Sequence, residues 1–538
     1  MQAQSRRGQL RIIDRLSLSG APILLWLPAA LIAVAVTLPI AYLFIRSYQG
    51  GYDLWDLIWR DRTLTLLKNT ALLTAIVTAA SVAISLPYAW LVRRTDLPGR
   101  RFWAVAGVLP LAIPSYVGGY TVIAALGPRG MLQGWLEPLG VERLPEIYGL
   151  TGASLTLTAL IFPYVLITVN AALRGIDPAY EEAARSMGYG PWKTFLFVDI
   201  PLLRPAIAAG GLLVALYTIG EFGAVSLLRY DTFTRAIYTQ YTNAFDRTLA
   251  AGLALLLIGV TVIVLIVEAF TRGRARYYRV SAGGGRPAVR LDLGRWKIPA
   301  VLFCGSVVSL SLVMPVGVVI YWLARGLSSG EPLRLVWTAA WQSFYISGLA
   351  AMVALIAALP IALVAVRYPS RIASLLERAS YSGYALPGIV VALALVFFGA
   401  NYAPWIYRTI GMLLLAYTVR FLPQAVGTVR TSLLQISPRV EEAARSLGYS
   451  GPRTWIFITV PLASKGMLSG AALVFLTVIK ELPATLLLRP IGFNTLSTRI
   501  WGAAVEGFWA RAAAPALILI VISAIAMLLI EGVDRGDE

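Results

Sequence analysis

Twelve runs of roughly twenty apolar residues constrain this chain more than any other feature. They lie near 22–46, 68–92, 103–126, 151–173, 204–228, 249–270, 299–324, 345–367, 382–402, 409–429, 464–488 and 511–531. A helical run of that length crosses a hydrocarbon core about 30 Å thick. Composition points the same way. With 58% hydrophobic residues and a mean hydropathy of +0.73, the 538-residue chain lacks the polar surface that a water-soluble globule needs. The predicted fold class is an all-α polytopic membrane protein with about twelve transmembrane helices.

The formal net charge of +19 would suggest a nucleic-acid partner in a soluble protein. Here the basic residues sit in short segments between the apolar runs: Arg6, Arg7, Arg11 and Arg15; Arg93, Arg94, Arg100 and Arg101; Arg272 to Arg279; Arg286 to Lys297; and Arg367 to Arg378. With twelve spans all of these fall on the side of both termini, and the positive-inside rule makes that side the cytoplasm. The charge reads as topology, and no nucleic acid is expected as a partner. The first apolar run is too long for a cleavable signal and lacks a clear small-residue cleavage site, so it is expected to be the first span. The chain has one cysteine, Cys304, and no histidine. That excludes an internal disulfide, a thiolate metal site and histidine-based catalysis. No GxxxxGK[ST] phosphate loop is present, so any ATP used must be hydrolysed on another chain. No nucleophile–base cluster or metal-ligand cluster appears either, and the chain is not expected to be an enzyme.

The apolar runs belong to a tandem duplication. AISLPYAWLVRR (83–94) matches IAALPIALVAVR (356–367), pairing Pro87 with Pro360, and Pro114 pairs with Pro387 at the same separation of 273 residues. Residues 181–203, EEAARSMGYGPWKTFLFVDIPLL, match 441–463, EEAARSLGYSGPRTWIFITVPLA, at a separation of 260. The first half therefore carries about thirteen extra residues, which fit the Gly-, Pro- and charge-rich segment Gly127–Leu150. Six spans in each half make the repeat parallel, with a pseudo-two-fold axis along the membrane normal. The expected division is 1–270, a basic cytoplasmic linker 271–298, and 299–538.

The repeated polar loops, 177–203 and 437–463, lie between the fourth and fifth spans of each half. Asp177-Pro178 and Ser437-Pro438 place a capping residue before a proline suited to the first helical turn. Glu181, Glu182, Glu441 and Glu442 fall where the helix dipole favours them, Ala183-Ala184 and Ala443-Ala444 propagate the helix, and Gly188 and Gly448 end it. A second amphipathic segment then leads through Pro201 or Pro461 into the next span. Such a knob suits a groove on a soluble partner. The plain alternative is a re-entry helix without a partner.

This Glu-Ala-Ala, Gly, hydrophobic-Pro pattern resembles the coupling loop of bacterial ABC importer permeases. Over nearly the whole chain both halves resemble the permease of ferric-iron importers, in LAIPSYVGGYTVIAALG (111–127), GEFGAVSLLRYDTFTRAIY (220–238) and KELPATLLLRPIGFNTLSTRIW (480–501). The resemblance implies the binding-protein-dependent ABC importer permease fold in a bacterial inner membrane. It implies two cytoplasmic ATPase subunits docked on the loops around Glu182 and Glu442, with ATP on those subunits and no tightly bound cofactor here. It also implies a periplasmic or lipid-anchored binding protein that delivers Fe³⁺ as the transported substrate. Thiamine, a polyamine or an oxyanion in the same architecture remain alternatives, as does a secondary transporter driven by an ion gradient.

Charges inside apolar runs mark candidate path residues, because a charge at membrane depth costs at least roughly 2.5–3.5 kcal/mol on insertion scales. Glu221 and Glu481 occupy matched places near the outer ends of the fifth and eleventh runs, beside Lys480, and Arg420 interrupts the tenth. Carboxylates suit a hard cation, so Glu221 and Glu481 are candidate transient metal ligands, with Tyr116 and Tyr120 as possible further oxygens. Helix-end snorkelling, or a salt bridge from Lys480, is the structural alternative for the glutamates, and interfacial anchoring for the tyrosines. Pro114/Pro387 and Pro163/Pro423 are candidate gates or static kinks. Arg229 and Arg489 are expected on the outer side, against the topological bias, where they suit an acidic binding-protein lobe or plain solvent.

Overall fold

The computed structural model describes residues 23–49, 56, 59–244, 247–271, 291–331 and 334–535. The early arginines Arg6 to Arg15, Arg272 to Arg279 and most of the linker lie outside the described residues. Helices make up nearly all of the rest, and the β structure among the described residues is one isolated bridge between Thr95 and Leu291.

Ten helices among the described residues are long and apolar enough to cross a membrane, and two bent pairs would complete twelve. The bent pairs are the third and ninth apolar runs. Arg100–Ala112 and Ser115–Leu139 meet at 98°, and Arg371–Gly383 and Gly388–Tyr402 meet at 102°. Both breaks fall at the repeated prolines. Ile113 and Leu386 are extended (ψ 118° and 112°), as a residue before proline prefers, and Pro114 and Pro387 are themselves extended at the start of the next helix (ψ 146° and 143°). Both runs, in which Pro114 and Pro387 were candidate gates or kinks, are sharply bent at those prolines. The other matched pair behaves differently in the two halves. Pro163 stands where Leu150–Ile161 gives way to Pro163–Gly175, whereas Pro423 sits inside the uninterrupted Ile410–Gln435 helix.

The chain compacts into two units that interlace along the sequence. One comprises Met1–Tyr52, Arg334–Arg499 and Ile525–Glu538. In it the Ile23–Gln49 helix packs on the Arg334–Arg367, Arg371–Ser380 and Gly388–Tyr402 helices. Its buried stripe is Leu25, Ala29, Ala33, Val36 and Leu43, a helical spacing whose small residues let backbones approach closely. The other unit comprises Asp53–Leu333 and Ile500–Ala524. In it Asp61–Arg94 packs on Leu150–Ile161, Pro163–Gly175 and Ile200–Ile219, and Met314–Ser328 packs on Ser115–Leu126. Sequence halves and compact units are thus different divisions of the chain.

Each unit contains the same tight helix crossing. A Cβ at Gly210 would lie 2.7 Å from Val165 Cα, and one at Gly470, 260 positions later, would lie 3.0 Å from Thr428 Cβ. Near its C-terminal end the linker is pinned to the end of Asp61–Arg94. Leu291 N–H donates to Arg94 O (2.9 Å), and Leu293 N–H donates to Asp96 Oδ1 (2.9 Å). A hydrogen bond from Lys297 first, then the Leu293 amide, holds the Asp96 carboxyl below its ordinary range.

Candidate functional site

The two polar loops fold alike because their residues match. Pro178–Ser186 and Pro438–Ser446 are nine-residue helices. Asp177 Oδ1 accepts from Ala179 N–H at 3.0 Å, the expected cap. Ser437 occupies the same place but makes no side-chain cap bond, contrary to its expected role. Gly188 (φ +85°) and Gly448 (φ +90°) take the left-handed conformation that glycine alone adopts without strain, and both helices end there. Tyr189 and Tyr449 amides return to Ala184 O and Ala444 O at 3.0 and 3.1 Å. After a short turn, one π-helical turn (Phe195–Asp199 or Trp455–Thr459) leads into the next span, with Pro201 and Pro461 in its first turn.

Each loop helix has two faces. Glu182, Ala183, Glu442 and Ala443 are exposed, while Ala184 and Ala444 are buried. At the glycine turn an apolar side chain stands in the open, Met187 in one loop and Leu447 in the other, 70% and 81% exposed, beside half-open Tyr189 and Tyr449. Acidic helix plus exposed apolar turn is a surface suited to a partner groove.

The buried face holds a feature the sequence reading did not single out. Glu181 is buried and forms an ion pair with Arg94 Nη2 at 2.8 Å, with Arg185 at 3.3 Å on its other oxygen. Arg94 also donates to Leu173 O at 3.0 Å. In the second half Arg367 Nε donates to Glu441 Oε1 at 2.9 Å and Nη2 donates to Ile436 O at 3.1 Å, while Thr459 Oγ1 donates to the same carboxylate oxygen at 3.1 Å. Removing one partner of such a buried pair leaves an uncompensated charge, at about 3–5 kcal/mol. The signal was present in the sequence, since Arg94 and Arg367 end the two matched stretches and Glu181 and Glu441 begin the next pair. Charge near a span end reads as topology until burial is known.

Near the ends of the fifth and eleventh spans the helices stop at Gly220 and Lys480, and short helices, Gly223–Leu227 and Pro483–Leu488, begin just beyond. Glu221 and Glu481, each 6% exposed, sit in these breaks. Glu221 Oε1 accepts from Ala224 N–H (3.0 Å) and Ser115 Oγ (2.8 Å). Glu481 Oε1 accepts from Ala484 N–H (3.2 Å) and is paired with Arg420. Each carboxylate therefore caps a short helix inside its own unit. Arg420 supplies a cation at Glu481, a pairing the sequence reading did not name. No group of three or more His, Cys, Asp or Glu side chains that would hold a metal occurs among the described residues. Both glutamates thus shape the turns in which they sit.

Tyr116 and Tyr120 are both buried. Tyr116 packs on the Glu221 break, its Cβ 2.8 Å from where a Cβ on Gly223 would stand. Tyr120 stacks on Trp509 with ring centroids 5.9 Å apart. Neither is an interfacial anchor. Arg229 lies over the Tyr148 ring (5.1 Å), and Arg489 is bound to Asn494, Phe493 O and Thr498. Arg489 braces its own loop, and Arg229 meets the segment that leads into Leu150–Ile161.

A family model described as the binding-protein-dependent transport system inner membrane component matches residues 5–276 and 350–536. The Fe(3+)-transport system permease protein FbpB 2 of Haemophilus influenzae is 35% identical over 515 residues, covering 95% of this chain and 98% of that protein. The ferric transport system permease protein FbpB of Actinobacillus pleuropneumoniae is 24% identical, over 91% of this chain and 75% of its own length. The molybdenum transport system permease protein ModB of Escherichia coli K12 is 32% identical over 231 residues, 40% of this chain and 96% of that protein.

Proposed function

The chain belongs to the family of binding-protein-dependent transport system inner membrane components, and on that premise we propose that it carries both membrane domains of an ATP-driven ferric-iron importer. The observation that carries the reading is the pair of matched loops, each offering an exposed glutamate and an open apolar turn on a helix anchored from beneath. Two ATPase subunits dock there, around Glu182 and Glu442, and hydrolyse the ATP. A periplasmic or lipid-anchored binding protein supplies the ion on the other side, and both termini face the cytoplasm. Iron is preferred to an oxyanion because the ferric-transport relative matches 95% of the chain, whereas the molybdenum-transport relative matches 40%. The two sequence halves act as the rocking repeats. The broken third and ninth spans, hinged at Pro114 and Pro387, are where the path opens and closes, a usual role for discontinuous helices in transporters.

The test is uptake of radiolabelled ferric iron into proteoliposomes that hold this chain, its co-purified ATPase and a ferric-loaded binding protein. ATP-dependent uptake is expected, and Glu182→Lys/Glu442→Lys should reduce it to background by displacing the ATPase. Uptake of molybdate instead of iron would keep the architecture and overturn the substrate. Uptake driven by an ion gradient without ATP would overturn the importer class.

A further inference from the structure

We propose that Arg94 and Arg367 are positioning residues that latch the loop helices to the long helices they end, Asp61–Arg94 and Arg334–Arg367, so that helix and span move as one body. The inference rests on the reading that the loops receive motion from a partner, and it names where that motion goes.

Each nine-residue loop helix hangs between two soft joints. On one side are two extended residues, Ile176 and Asp177 (ψ 126° and 121°) or Ile436 and Ser437 (ψ 118° and 131°), and on the other a left-handed glycine, Gly188 or Gly448. A push on the exposed face would turn such a helix about its joints and reach no span. The arginine removes that freedom. Arg94 is the last residue of Asp61–Arg94, and its guanidinium holds both the loop carboxylate and the carbonyl of Leu173, in the final turn of the preceding helix. Arg367 ends Arg334–Arg367 and holds Glu441 together with Ile436 O. Three elements thus meet at one planar, permanently charged group whose fixed fork suits several acceptors at once, as a lysine would not.

Burial separates this from an ordinary surface ion pair. Arg94 and Glu181 side chains are 7% and 4% exposed, and Arg367 and Glu441 are 11% and 4% exposed, so water competes poorly for either partner. The arrangement also occurs twice although the surrounding sequences, VRRTDLP and VAVRYPS, have diverged. The neighbouring exposed surface faces the partner, while the latch sits behind it, where it transmits rather than docks.

Spin labels at Ala83→Cys, on Asp61–Arg94, and Ser186→Cys, on the loop helix, report the link directly; both positions are exposed, and Cys304→Ser removes the native thiol. In the full complex with its ATPase, the distance distribution should be the same without nucleotide and with ATP trapped. Arg94→Gln should broaden it and lower binding-protein-stimulated ATP hydrolysis about tenfold while the ATPase still co-purifies. The exchange Arg94→Glu/Glu181→Arg should restore both, which separates a latch from a general loss of fold. A distance that changes on ATP binding in the unmodified chain, or an Arg94→Gln chain with unchanged distance and stimulation, overturns the latch and leaves the importer reading standing. A chain that recruits no ATPase sinks the importer reading and the latch together.

Discussion

Around Glu221 and around Glu481 the two halves build the same turn and surround its carboxylate with different side chains. In the first half the Ser115 hydroxyl donates to the carboxylate, and the position matching Arg420 is Leu160, which is buried. In the second half Arg420 reaches the carboxylate, and the position matching Ser115 is Gly388. The exchange is sterically coupled, since a Cβ on Gly388 would lie 2.7 Å from Arg420 Cζ. Backbone geometry is kept while charge is redistributed, and Lys480 replaces Gly220 beside the second glutamate. A duplicated scaffold can therefore hold two chemically unequal sites, with the turn fixed by a carboxylate–amide cap and the charge free to diverge.

The comparison breaks most sharply at Arg420. Arg420→Leu installs the first half's residue class and should lower stability by about 3–5 kcal/mol, read as a fall in detergent melting temperature, because Glu481 keeps its charge without its cation. Adding Glu481→Leu should recover part of that loss; a double variant no better than the single would show that Arg420 acts through packing instead. Next in size is Gly388→Ala, at about 1–3 kcal/mol, since the new methyl group must displace the guanidinium. Ser115→Gly, its counterpart, should cost less. The smallest effect is expected from Ser115→Ala, roughly 1 kcal/mol, because the Ala224 amide still caps Glu221. If Ser115→Ala matched Arg420→Leu, the two sites would be energetically alike.

The latches repeat the lesson in milder form. Thr459 donates to Glu441, whereas the matched residue in the first half is Asp199, a buried carboxylate. The arginine–glutamate tie is common to both halves, and its surroundings are not.

Much of this was legible in the sequence. Twelve apolar runs, six in each half, were readable because twenty apolar residues have one economical conformation in lipid. The loop helices were readable from proline at the first turn, glutamates beside it and glycine after the last, all of which act within one or two turns. Where local rules were weaker, the reading was partial. Pro114 and Pro423 looked equivalent as helix breakers, yet one sits at a 98° bend and the other inside a continuous helix. Proline sets a cost, and the neighbours decide whether the helix bends. Ser437 looked like a cap, and its helix forms without that bond.

The sequence by itself determined the class of fold, the duplication and the paired loops, because membrane length, repeat spacing and helix-end chemistry are properties of neighbouring residues. Only the tertiary structure decided which charge meets which. Arg94 is 87 positions from Glu181, and Arg420 is 61 from Glu481. Across such separations a pairing is fixed by how helices pack, and the same packing assigns the Ile23–Gln49 helix to the unit containing Arg334–Arg499. A buried charge is worth what its surroundings make it, and those surroundings exist only once the helices have met.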